Sequence, residues 1–354
     1  MDQNRLKTLD AARFATRKAI GLVAASAVAS LLSVNAGQAE DALTPMQIGT
    51  FPIATNLPDQ IAHNRGIFRK NGLDATMVGP AMSGATAVAL MTGGKLQSYF
   101  QDIPSVMIAD SSGAKLVFAA CNMPGTIYFL VARGDIGLPA NGSFKEKIQA
   151  LKGKTVGVIA IGSGTDRTIQ ISMASADVAD KDITRVGVGA PAAAISQMNA
   201  GRVDAYITGS ISGAYQVTKG VKNAIVYVDY SDPSTPTDAR LFSSGGWMVP
   251  ADWAAEHPDA VKSYRKSLEE AYAWIKDNQE EAANLMSQIM YNGAELDIAK
   301  ASVKYYAAHN IAQNPTLKCS PEPFESAYKM FIKYKVAPDN GKLKFDDLTL
   351  PSSR

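Results

Sequence analysis

Between Met46 and Val228, short apolar runs alternate with stretches whose apolar residues recur at helical spacing. The runs Met46–Thr50, Leu73–Val78, Leu96–Phe100, Leu116–Ala120 and Ile127–Ala132 predict strands. Leu57, Ile61 and Phe68 share one helical face, whereas His63 lies off it and is expected in solvent. That helix opens on Asn56-Leu57-Pro58-Asp59, a cap, an early proline and a first-turn acid. Asn71-Gly72 stops it. A second short helix, Ala85–Thr92, is closed by Gly93-Gly94, and Pro104 opens a third. This alternation predicts parallel sheets covered by helices on both faces. Beyond Val228, the polar and proline-bearing Asp229–Arg240 predicts a surface loop, and Ser243–Pro250 a strand that crosses back. From Ala251 to about Tyr334 the pattern is helical, with Val261, Tyr264, Leu268, Ala271 and Ile275 on one face. The tail after Lys335 is polar, carries Pro338, Gly341 and Pro351, and is expected to pack loosely or not at all.

The stretch Thr155–Ile171 anchors the second half of this pattern. A β-branched run ends in Gly162-Ser163-Gly164-Thr165-Asp166, and a helix is expected from about Arg167. Strand, small-residue loop and helix start make a cradle. Glycines allow close backbone approach, and first-turn N–H groups lack helical partners and can receive an anion. The same residues also fit an ordinary turn capped by Thr165 or Asp166. The lysine of a nucleotide-binding phosphate loop is missing.

The chain also repeats itself. Ala87–Asp102 (AVALMTGGKLQSYFQD) aligns without a gap on Ala194–Gly209 (AISQMNAGRVDAYITG). Ala87/Ala194, Met91/Met198, Gly94/Gly201 and Tyr99/Tyr206 are identical pairs. Two generic helix–glycine–strand units share such a pattern by chance; two equivalent lobes explain it more fully. Open parallel sheets take ligands beyond the carboxyl ends of their strands. Two such lobes face each other across a cleft lined by the loops Phe51–Thr55, Ala81–Gly84 and Gln101–Asp102 from one side. Ile161–Thr165, Gly189–Pro191 and Thr208–Ser210 come from the other.

This frame supplies the candidate ligand residues. Ser163, Gly164 and Thr165 are expected to hold an anionic or oxyanion group, with Ser83, Gly84, Gly209 and Ser210 adding small or hydroxyl contacts. Arg167 adds charge or faces solvent. Asp102 accepts from a ligand amine or hydroxyl, or caps the helix that begins at Pro104. Trp247 and Phe51 stack on a ligand or belong to the core. Asn122, at the start of the first crossing, is a further candidate contact.

Composition narrows the setting. A length of 354 residues suggests about two domains. Apolar residues make up 46% and charged ones 19%, an ordinary globular balance. A net charge of +2 without a concentrated basic block argues against nucleic acid as partner. Arg5, Lys7, Arg13, Arg17 and Lys18 lead into the uncharged run Ala19–Leu32 and then small residues up to Ala39. That layout predicts a secretory signal over residues 1–39, cut after Ala39 or Ala36, and a soluble, exported mature chain. Export permits a disulfide between Cys121 and Cys319, while sequence leaves open whether the two meet. Such a bond closes a loop long enough to contribute on the order of 5 kcal/mol in the chain-entropy model. The cysteines and the scattered His63, His257 and His309 lack metal-ligand spacing, so no metal or cofactor is expected.

Four segments carry a family resemblance: Ile61–Leu73 (IAHNRGIFRKNGL), Leu151–Val158 (LKGKTVGV), Asn199–Tyr206 (NAGRVDAY) and Glu256–Val261 (EHPDAV). In this order they resemble the substrate-binding proteins of bacterial ABC importers in the nitrate, aliphatic-sulfonate and taurine group. The resemblance implies an α/β, two-lobed type II periplasmic-binding-protein fold. Each lobe is then a mostly parallel sheet flanked by helices, with a helical C-terminal extension. It implies lobe 1 at 40–130 and 246–354, lobe 2 at 131–245, and hinge crossings near Tyr128–Arg133 and Ser243–Val249. It further implies a periplasmic monomer that closes on a small polar or anionic solute and docks on a membrane permease without catalysis. A sulfonate, carboxylate, nitrate-like ion or pyrimidine fits that class. Enzymes of the thiamine-pyrimidine branch carry a run of cysteines for iron, and Cys121 stands alone in its region.

Overall fold

The computed structural model describes residues 43–51, 53–79, 84–122, 128–139, 141–242, 244–335 and 338–354. The expected signal segment 1–39 and Ser83 lie outside the described residues. The first half of the chain runs β1 (Thr44–Gly49), α1 (Leu57–Asn64), α2 (Ile67–Lys70), β2 (Leu73–Val78), α3 (Gly84–Thr92), β3 (Tyr99–Asp102), α4 (Ile103–Ser111) and β4 (Leu116–Cys121). The chain then crosses to β5 (Phe129–Ala132), α5 (Phe144–Gln149), β6 (Thr155–Val158), α6 (Gly164–Ser175), β7 (Thr184–Gly187), α7 (Pro191–Asn199), β8 (Ala205–Thr208), α8 (Ile211–Gly220) and β9 (Ile225–Asp229). It returns through α9 (Thr237–Phe242) and β10 (Gly245–Pro250). The rest is helical: α10 (Ala251–Glu256), α11 (Pro258–Asp277), α12 (Gln279–Tyr291), α13 (Leu296–Tyr306), α14 (Pro321–Lys333) and α15 (Phe345–Leu348).

The strands form two matching sheets. In the first, β1 pairs with β2 in parallel from Thr44–Leu73 to Gly49–Val78. β3 joins β1 through a parallel bridge between Ile48 and Ser98, with the Gly49 N–H donating to the Ser98 carbonyl at 2.8 Å. β10 runs antiparallel between β3 and β4. The second sheet has the order β7-β6-β8-β5-β9, with β5 antiparallel to both neighbours. The antiparallel strand of each sheet is therefore the one the chain enters after crossing from the other lobe. The two-lobed α/β architecture follows, each sheet mostly parallel.

The internal repeat is structural. On the alignment of Ala87 with Ala194, Gly84 falls on Pro191, and these residues begin α3 and α7. Ala87, Ala194, Met91 and Met198 all point into the core, and Gly94 and Gly201 both take the left-handed conformation, at φ 71° and 70°. Apolar residues hold each sheet to its helices, in clusters that run through both lobes.

Three local expectations change. α6 begins at Gly164, three residues before the expected Arg167, with Ser163 in extended conformation as its N-cap. Neither Thr165 nor Asp166 caps it, because both side chains bond back to the loop. The third strand begins at Tyr99 rather than Leu96. The tail is not loose: Leu343, Leu348 and Ser353 are buried, Thr349 bridges to Phe118, and the Cys319 N–H donates to the Ser353 carbonyl at 2.7 Å. The tail packs against β4 through α15 and the turn at Pro351–Ser353. Cys121 and Cys319 form a disulfide, their Cα atoms 4.9 Å apart. No helix among the described residues is long and apolar enough to cross a membrane.

Candidate functional site

A cleft of about 880 Å³ lies between the two sheets, at the carboxyl ends of their parallel strands. Phe51 follows β1, Gly84 opens α3, and Gln101 and Asp102 end β3; these line it from one lobe. From the other come Ile159–Thr165 after β6, Ala190 and Pro191 at the start of α7, and Thr208–Ser210 after β8. Of the expected ligand residues, Phe51, Gly84, Asp102, Ser163, Gly164, Thr165, Gly209 and Ser210 all line this one cavity.

Two expected residues do not. Trp247 is fully buried on β10, and its indole N–H donates to Asp59 Oδ2 at 2.6 Å. A ring held in the core with its polar atom already paired is not free to stack on a solute. Asn122 is 2% exposed and serves the crossing between β4 and β5. Its Oδ1 accepts from the Tyr272 hydroxyl at 2.8 Å, and its carbonyl accepts from Asn314 Nδ2 at 2.6 Å.

The cradle is a braced loop. Thr165 Oγ1 accepts from the Ile159 N–H at 3.1 Å and lies 2.8 Å from Ser163 Oγ. Asp166 Oδ2 accepts from the Gly162 N–H at 2.8 Å, and Arg185 holds the other oxygen at 2.7 Å. Gly162 stands at φ 80°, a left-handed turn that suits glycine. The side chains named for ligand contact thus spend hydrogen bonds on shaping the loop.

A carboxylate from the other lobe approaches the start of α6. A Cβ on Gly164 would sit 2.8 Å from Asp102 Oδ2 and would overlap the Tyr128 hydroxyl. The carboxylate of one lobe therefore rests against the first turn of a helix in the other, where a positive dipole end favours negative charge. The cradle expected at Ser163–Thr165 therefore has a carboxylate as its neighbour. Only glycine leaves room for the contact.

Asp102 takes both roles that its sequence position allowed. It is the N-cap of α4, with Oδ1 accepting from the Ser105 N–H and Oδ2 from the Ser105 hydroxyl, each at 2.9 Å. It also faces the cleft, 6% exposed. Burial pushes its pKa up, opposed by the Ser105 bonds and by the charge of Arg167. The Tyr128 hydroxyl lies 3.5 Å from Oδ2; burial, then the charge of Asp102, holds that phenol well above its ordinary pKa and keeps it protonated. Arg167 is half-buried rather than solvated. Its guanidinium feels Asp102 and Asp166, makes no side-chain hydrogen bond among the described residues, and does not line the cleft.

Tyr128, Asn56, Ser105, Gln216, Met290 and Tyr291 also line the cleft and were not anticipated. Met290 and Tyr291 end α12, and the Tyr291 hydroxyl accepts from Gln216 Nε2 on α8 at 3.3 Å. No local signal in the helical region points to this placement. Tyr128, an aromatic residue at the end of a crossing, was open to such a reading.

The NMT1/THI5-like family profile matches residues 56–282. A comparison with curated protein sequences finds no match. Among solved structures, the alkanesulfonate-binding protein SsuA of Xanthomonas axonopodis pv. citri, bound to MOPS, superposes with a TM-score of 0.67. It is 15% identical, and the match covers 87% of this chain and 98% of that one. The periplasmic nitrate-binding protein NrtA of Synechocystis PCC 6803 gives a TM-score of 0.66 at 14% identity, covering 87% and 86%. The desulfurization enzyme DSZB gives 0.61 at 11% identity, covering 87% and 96%. These likenesses are of fold. With more than half of its length matched by the profile, the chain belongs to the NMT1/THI5-like family.

Proposed function

We propose that the protein is an extracytoplasmic solute-binding protein. It captures one small organic solute between its lobes and delivers it to the permease of an ABC importer. The observation that carries this reading is the cleft itself, at the carboxyl ends of strands from two equivalent sheets joined by two crossings, 122–128 and 230–244. Such a pair of lobes closes by hinge motion around a guest. Solved proteins of this fold include binders of an alkanesulfonate and of nitrate. A cleft of about 880 Å³ walled by Phe51, Ile53, Val88, Ile108, Ile159 and Met290 suits an organic body rather than a bare inorganic ion.

A second reading is an exported enzyme, favoured by the shared fold of a desulfurization enzyme. Catalysis there needs a nucleophile with a neighbouring base. Among the described lining residues there is no cysteine, histidine, lysine or arginine, which favours binding. A melting screen against sulfonates, carboxylates, amines and pyrimidines tests the proposal. A solute at about 100 times its Kd is expected to add about 2.7 kcal/mol of stability and to be recovered unchanged. Conversion of a stabilising compound would replace the binding reading with the enzymatic one.

A further inference from the structure

The charge inventory of the cleft is one-sided. Among the described residues its lining holds a single carboxylic acid, Asp102, and no lysine, arginine or histidine. Arg167 is the cation that bears on Asp102, and it neither bonds to it nor reaches the cavity lining.

The carboxylate is also more than a helix cap. The internal repeat provides a control. Gly209 stands where Asp102 does, and the following helix α8 is capped by uncharged Ser210, whose Oγ accepts from the Gly213 N–H at 3.0 Å. The architecture therefore needs no charge at this strand end. Ser105 occupies one acceptor position on each oxygen of Asp102, and the long contact from Tyr128 a third. A carboxylate offers about four. Asp102 lines a cavity whose other described walls are apolar or uncharged polar side chains.

We infer that the solute carries a protonated nitrogen, an ammonium or amidinium-type head, which docks on Asp102 while its apolar body lies against the walls of the cleft. This deepens the proposed function and rests on it. A charge-assisted bond to a buried carboxylate compensates both partners for lost water. A sulfonate or carboxylate head beside Asp102 would instead meet a like charge, with no lysine, arginine or histidine among the described lining residues to offset it.

The test is calorimetry and thermal melting with two series of matched probes. One holds benzylamine, phenethylamine, agmatine and benzamidine; the other holds benzoate, benzenesulfonate, ethanesulfonate and nitrate. Each is measured on the wild type and on Asp102→Asn, which retains the α4 cap. The inference expects binding in the first series only, weakened about 10- to 100-fold in Asp102→Asn. Binding confined to the second series, or amine binding untouched by the substitution, overturns the inference and leaves the solute-binding reading standing. Silence from both series counts against the two together. A cooperative melt of Asp102→Asn near that of the wild type shows that the loss is local.

Discussion

Asp59 shows how one side chain can fix a long-range arrangement. It is fully buried in the first turn of α1, accepting from the Trp247 indole on β10 at 2.6 Å and from the Tyr264 hydroxyl on α11 at 2.7 Å. Ser98 Oγ in turn donates to the Tyr264 oxygen at 2.9 Å. Burial pushes the Asp59 pKa up to about 6, against the opposing pull of these bonds. A folded-state value above the unfolded one means that the native chain holds this proton more tightly. The associated stability is complete below the unfolded pKa near 4 and is lost as pH rises through about 6, by about 3 kcal/mol at most. The wild type is expected to gain stability from pH 7.5 to pH 5 in urea titrations, and Asp59→Asn to gain less. Equal gains in both proteins would contradict this assignment. The sequence marks Asp59 only as a first-turn acid, since its partners lie 188 and 205 residues away. Trp247 was ambiguous for the same reason: nothing near it names the acceptor of its N–H. Asp102 was legible because Asp-Ile-Pro-Ser reads locally as a helix start.

At the scale of elements, local pattern carried most of the fold. The βαβ alternation, the repeat of α3–β3 as α7–β8, and the return strand β10 all rest on residue periodicity and on glycine stops, which sequence displays directly. The C-terminal tail was not legible because four scattered buried residues in a polar segment, Leu343, Leu348, Thr349 and Ser353, make no periodic signal. The helical region also does more than extend one lobe. α13 packs on α8, and Lys219 on α8 pairs with Glu295 and Asp297. The cysteine pair ties the end of β4, where the first crossing begins, to the segment before α14. The chain-entropy model gives on the order of 5 kcal/mol for a closed loop of this length, where disulfides typically contribute about 2–4 kcal/mol. Cys121→Ser with Cys319→Ser should lower the melting temperature, and a reductant should lower the wild type alike while leaving the double variant unmoved. Two free thiols titrated in the unfolded, unreduced wild type would place the cysteines apart in solution.

For the molecule as a whole, the cleft is where two copies of one topology face each other, and its position was inferable from that equivalence. Its chemistry was not. Small-residue loops suggest a polar or anionic guest, but their hydroxyls are engaged in bracing the loops, and the helix start meets Asp102 across the lobes. That contact forms only when two strand ends from opposite halves of the chain meet, so no single segment announces it. The account requires that this meeting point hold one solute. Native mass spectrometry of the protein purified without unfolding tests it most directly, with Gly164→Ala as the comparison. The account predicts one noncovalent small-molecule adduct per chain in the wild type, released unchanged on denaturation and lost in Gly164→Ala. No adduct in either protein after exposure to the two probe series, or an identical adduct in both, would contradict it.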